Sequence, residues 1–212
     1  MITCSCPAAT ALTAIPAANC AEQFGQIQKL AFQRLKSGSG ATLNSFTSSA
    51  SITLKASWTA LQTAADSTKI VVTPYINNPQ MEAGAPRTVG GGNESLGGIE
   101  KVIGREATSF TAALNGYKQT IIEAMKALQC ESMVDNLGVY FFNEAGQIGA
   151  LQDANTATTY YPIPVRALFV GDKVIGGLEA EDSNALSFSL APNWSDRFAV
   201  VTPSDFNPLT DL

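Results

Sequence analysis

One stretch, residues 105–151, limits what this chain can become. Within it Phe110, Leu114, Tyr117, Ile121, Met125 and Leu128 recur at steps of four, three, four, four and three. A helix turns by about 100° per residue, so this spacing gathers all six on one face. It predicts a helix over about 108–130, with Thr108 or Ser109 placed to cap its first free N–H groups. Directly afterwards comes LGVYFFNEAGQIGAL, with strand-type residues on both sides of Asn143-Glu144-Ala145-Gly146. A helix with one apolar face beside a strand pair predicts a helix laid on a sheet.

The flanking chain supplies more strands. Residues 21–36 read as a short helix passing into a strand, and Ser37-Gly38-Ser39-Gly40 as a turn. Residues 51–58 alternate, with Ile52, Leu54, Ala56 and Trp58 on one side, which predicts a half-buried strand, followed by a short helical turn over 60–65. Ile70, Val71 and Val72 are β-branched and mark another strand. Residues 77–98 are poor in apolar side chains, carry Gly90-Gly91-Gly92 and show no period. A segment of that length reads as a protruding loop, and loops so long are usually functional or disordered. Residues 99–103 suggest a short strand leading into the helix. Pro162 and Pro164 make 160–168 an edge or a connection. Gly171-Asp172 signals a hairpin between 167–170 and 173–175, while 185–190 and 197–202 close the set of strands. Val71-Val72-Thr73-Pro74 recurs as Val200-Val201-Thr202-Pro203, consistent with paired neighbours, related halves or chance. The expectation is an α+β, mainly β chain: a β-sandwich or barrel with one main flanking helix. An extended, proline-broken arm over 1–20 precedes one β-rich domain over 21–212.

Chemistry is conspicuous by its omissions. The chain has no histidine, so it lacks the commonest general base, metal ligand and partner of a nucleophilic Ser or Cys. GGGNESLGG lacks the lysine and the spacing of a phosphate loop. Glu179, Glu181 and Asp182 cluster beside Gly176-Gly177, a pattern that fits a solvated turn better than a pair of carboxylates facing across a cleft. Cys4, Cys6, Cys20 and Cys130 fit no common zinc module; free thiols, one disulfide tying the arm to the body and a zinc site are the readings open to them. No catalytic residue, cofactor or enzymatic activity is expected. No apolar run is long enough to cross a membrane as a helix, and the N-terminus has no basic segment followed by an apolar core. A net charge of −5 argues against a nucleic-acid binder, which would show a basic patch. Only 15% of residues are charged, against about 25% in an ordinary soluble domain. So thin a charge supply suits a surface largely covered by other protein.

The apolar-faced helix among strands, the Gly-rich loop and the extended arm together resemble the phage tail tube proteins and their relatives in contractile injection systems. GGGNESLGGIEKVIGRE and NLGVYFFNEAGQIG also resemble stretches of virion proteins from phages that infect Bacteroidetes. The resemblance implies a structural virion protein: a tail tube subunit whose copies form stacked hexameric rings around a channel for DNA. It implies a long loop that reaches the next ring, which makes Asn78, Pro79, Gly90, Gly91, Gly92 and Asn93 the candidate inter-subunit residues. The implied partners are further copies of the chain, other virion proteins such as sheath or tail terminator, and DNA that passes without sequence-specific binding. The implied location is the virion, assembled in the bacterial cytoplasm, with no membrane partner. A capsid decoration or head–tail connector protein is the alternative within that class. A carbohydrate-binding or enzymatic β-domain, using Trp194, Tyr160 and Tyr161, is the alternative from another.

Overall fold

A computed structural model describes residues 14–15, 23–38 and 42–212. The chain is mainly β, built around a large antiparallel sheet with few helices, as expected for its class. In order it forms β1 (Ile27–Arg34), α1 (Lys55–Thr63), β2 (Ile70–Val72), β3 (Asn77–Glu82), β4 (Pro86–Gly90), β5 (Glu100–Arg105), β6 (Thr108–Asn115) and α2 (Gln119–Ala127). Then follow α3 (Gln129–Met133), β7 (Leu137–Asn143), β8 (Ile148–Gln152), β9 (Tyr160–Tyr161), β10 (Ile163–Val174), β11 (Ser183–Leu190), β12 (Phe198–Val201) and α4 (Pro208–Asp211).

The pairings close into a ring. β7 pairs along one edge with β1, and its other edge is shared between β8 and β10. From β10 the sheet continues through β11 and β6 to β3. Residues 70–82 complete the circuit. Their first part bonds to β1, through β2 and then through Thr73 and Ile76, whose N–H groups donate to Leu30 O and Gln28 O at 2.8 and 2.9 Å. Their second part, β3, bonds to β6. The interior of this barrel is apolar: Leu30, Phe32, Phe110, Leu114, Val139, Phe141, Leu186 and Phe188 fill it. Ile122 and Met125 of α2 enter the same core. Burial of each such side chain is worth roughly 1.5–3 kcal/mol.

β1 and β7 are buried on both faces, which is why LGVYFFN reads as an unbroken apolar run. Their outward residues, Ala31, Tyr140 and Phe142, meet a second core around Phe46, Ile52 and Trp58. Trp58 anchors α1 there, its ring 4.7 Å from Phe46 and 5.4 Å from both Tyr140 and Phe142. The indole N–H donates to Ile52 O at 2.8 Å. Tyr140 donates its hydroxyl to Gln33 Oε1 at 3.1 Å, and complete burial pushes its phenol well above the ordinary range.

Several sequence expectations change. The helix begins at Gln119, not near 108, and α3 follows it as a separate short helix. Residues 108–115 are β6, so Thr108 and Ser109 cap nothing; the residue preceding α2 is Lys118. Phe110 and Leu114 lie four apart, a spacing that is one helical turn and also two strand periods, and the alternate neighbours Thr108 and Ala112 turn inward as well. Gly116, at φ +68, ends the strand. The strand expected at 51–58 is instead a turn followed by α1, because Ile52 and Trp58 reach one core from two different elements. Residues 27–34 are strand from the start, with no helix among the described residues before them. Gly171-Asp172 is no hairpin: β10 runs through it with a register shift between Val170 and Lys173, and the reversal comes at Gly176-Gly177. Nor does 163–168 lie at an edge, since β10 pairs on both sides. Gly138 makes room for the prolines; a Cβ there would stand 2.7 Å from Pro162 Cβ. The recurring Val-Val-Thr-Pro strands, β2 and β12, are not paired. They flank the five-strand order β2-β1-β7-β8-β12 at opposite ends.

Candidate assembly interface

Residues 77–98 are not a loop. β3 belongs to the barrel wall, and β4 and β5 pair only with each other as a separate two-stranded sheet. The hairpin leaves the barrel through a narrow neck. Glu106 N donates to Ala85 O at 2.9 Å, and a Cβ on Gly84 would fall 2.1 Å from Glu106 O, so only glycine lets the two chains run this close. At the far end Gly90, Gly91 and Gly92 all take positive φ. Ser95 Oγ accepts from Gly91 N at 3.1 Å and donates to Ile99 O at 2.9 Å, which ties the tip together.

Val89, Leu96, Ile99, Val102 and Ile103 of this hairpin are all exposed, and none joins either core. A lone two-stranded hairpin is marginally stable in water. Val102 pairs with Thr88 and Val89 with Lys101, so the hairpin shows apolar side chains on both faces and buries neither.

A second hairpin projects between β10 and β11. Gly176 repeats the device of Gly84, since a Cβ there would lie 2.1 Å from Ala180 O. Val174, Ile175 and Leu178 are exposed, Leu178 fully so. Lys126 Nζ meets Asp172 Oδ1 at 2.8 Å, and that hydrogen bond, with the attraction of its charge, holds the Asp172 carboxyl below its ordinary range. Lys173 Nζ lies 3.8 Å from Asp182 Oδ2. Glu179 and Glu181 have no cationic partner among the described residues.

The two hairpins leave opposite ends of β6. The first returns directly into Thr108. The second meets the other end, where Gly116 N donates to Asp182 O at 2.7 Å. The strand between them has eight residues, a separation of roughly 25 Å at about 3.3 Å per residue. Between the hairpins the outer face of β3, β6 and β11 is small and hydroxyl-rich. Gln80, Ser109, Thr111, Ser187 and Ser189 stand in register across it, and Glu82 and Arg166 sit at its margins.

No family model matches this chain. No curated protein matches it. Among solved structures it is similar to a chain in the tail of an empty gene transfer agent particle, refined with C6 symmetry. The two are 13% identical over 64% of this chain and 87% of that one, with a TM-score of 0.35. It is also similar to a chain of the anti-feeding prophage baseplate, symmetrised six-fold, at 8% identity over 90% of this chain and 98% of that one, with a TM-score of 0.33. Both likenesses are loose.

The structure divides the six candidate contact residues. Gly90, Gly91, Gly92 and Asn93 sit together at the tip of the β4–β5 hairpin. Asn78 and Pro79 lie on β3 in the barrel wall, at the register shift between Asn77 and Gln80. Sequence reasoning missed the exposed apolar residues of both hairpins. Their signal is an isolated Leu beside a glycine pair, as in Ser95-Leu96-Gly97-Gly98 and Gly176-Gly177-Leu178. Among the thiols, Cys130 is free and exposed on α3, while Cys4, Cys6 and Cys20 lie outside the described residues, as does most of the expected arm. Glu179 and Glu181 lie in an exposed turn with Asp182, which accepts from Gly176 N at 3.2 Å.

Proposed function

We infer that this chain is a structural virion protein, the subunit of a phage tail tube. Its copies close into rings, and the rings stack around a channel through which DNA passes. The observation that carries this reading is the pair of exposed apolar hairpins at opposite ends of β6. A copy with unlike sticky ends joins head to tail, and such heterologous contacts repeat into rings or filaments instead of stopping at a dimer.

In this reading the β4–β5 hairpin reaches a neighbouring copy through the tip at Gly90, Gly91, Gly92 and Asn93. Its apolar strands are then buried between subunits. The hydroxyl-rich face of β3, β6 and β11 lines the channel. It is nearly free of charge, and Arg166 at its margin is taken by Asp135 at 3.1 Å, so a passing polyanion meets little that could replace its counterions and slides past without being held. Sheath and terminator proteins are the further virion partners, and assembly takes place in the bacterial cytoplasm. Resemblance to the tube family gives six copies per ring as the expected order.

Electron microscopy of the purified protein, with its mass in solution, tests the reading. Rings or hollow tubes are expected, and end views count the copies per ring. A protein that stays monomeric at every concentration overturns it. Calorimetric heat on titration with glycans would then favour the carbohydrate-binding alternative.

A further inference from the structure

At the base of the β4–β5 hairpin lies an open groove of about 340 Å³, lined among others by Met81, Gly84, Arg105, Pro192 and Trp194. The indole is held in place: its Nε1 donates to Thr108 Oγ1 at 3.1 Å, and its ring packs edge-on to Phe141 and Phe198. A half-buried tryptophan fixed in this way presents a rigid apolar wall, the type of anchor that dominates protein contacts. Arg105 stands beside it, exposed and without an acidic partner among the described residues; Glu106, which also lines the groove, is taken by Arg87 at 3.7 Å.

The other end of the molecule carries the complement. The β10–β11 tip offers one fully exposed apolar side chain, Leu178, next to the two carboxylates without cationic partners, Glu179 and Glu181. Groove and tip therefore match twice. An apolar knob faces an apolar wall, and unmatched negative charge faces unmatched positive charge. They lie at opposite ends of β6, so a single copy cannot bring its own tip to its own groove.

Resting on the tube reading above, we propose that the β10–β11 tip of one copy docks in the groove beneath the β4–β5 hairpin of the next, with Leu178 against Trp194 and Met81 and with Glu179 and Glu181 facing Arg105. The occupant is a second copy of this chain. The contact is directional, so it repeats from copy to copy, and it gives the second hairpin a use independent of the first.

A charge exchange within the full-length chain tests it, read as the protein concentration above which tubes sediment. Glu179→Arg with Glu181→Arg is expected to raise that threshold about tenfold, and so is Arg105→Glu, because each places like charges together. The triple variant is expected to return close to the wild-type threshold, and Leu178→Asp to prevent assembly. All four residues are exposed, so the melting temperatures of the unassembled variants should match one another. If the tip variants assemble at the wild-type threshold, or the triple variant behaves as the sum of its parts, this contact is wrong while the tube reading stands. If the wild-type chain forms neither rings nor tubes, both fall.

Discussion

Trp58 does two things for the outer core. Its ring fills the space between Phe46, Tyr140 and Phe142, and its N–H satisfies Ile52 O in the turn just before α1. α1 has no side-chain cap at its start, and Trp58 is its one buried residue, with half-buried Leu61 packed against the same core. Trp58→Phe would keep most of the apolar contact but leave a buried carbonyl unpaired and a small cavity. It is expected to cost about 2–3 kcal/mol, read as a lower midpoint in urea unfolding with an unchanged slope. Lys29 is a quieter case. It is buried beside the Tyr75 ring, 4.8 Å from the centroid, and donates to Leu212 O at 3.2 Å; loss of water around the ammonium lowers its pKa.

At the scale of elements, the β4–β5 hairpin is a separable part. Its strands pair only with each other, its apolar side chains join neither core, and its link to the barrel is the neck at Gly84 and Glu106. Replacing residues 87–104 by a short Gly-Ser turn is therefore expected to leave the melting temperature of the monomer within a few degrees of wild type. Ring or tube formation is expected to be lost. Differential scanning calorimetry and electron micrographs of the same sample check both halves. A deletion beginning at Asn78 would behave differently, because it removes β3 and opens the barrel between β1 and β6. The β10–β11 hairpin is less separable: β10 and β11 are wall strands as far as Val174 and Ser183.

For the whole molecule, the closed barrel and the outer core supply stability, while the two hairpins add exposed apolar surface that a lone copy leaves in water. Assembly that covers this surface stabilises the folded state by mass action. The melting temperature is therefore expected to rise with protein concentration once assembly begins. Scans across a hundredfold range of concentration check this, and a melting temperature independent of concentration would mean that the hairpins stay uncovered.

Much of the architecture is legible in the residues. The β7–β8 hairpin follows from LGVYFFN, Asn143 to Gly146 and IGALQ, since strand-type runs on both sides of a turn leave few other options. The α+β class and the second half of the helix follow likewise, with Ile121, Met125 and Leu128 packed as their spacing implies. The low charge and the lack of histidine are properties of composition alone, and they narrow the function without any fold. Other features depended on tertiary structure. Phe110 and Leu114 satisfy the helical and the strand period equally, and pairing with β11 and β3 decides for the strand. Residues 99–103 announce β5 in part, but β4 shows no alternation because neither face of the hairpin is buried, so no local pattern marks it. The opposition of the two hairpins along β6, and the match between Leu178 and a groove lined by Met81, Arg105 and Trp194, join residues far apart in the chain. Local sequence sets periodicity and turn chemistry over a few residues; which distant surfaces share one end of the molecule is set by the closure of the barrel.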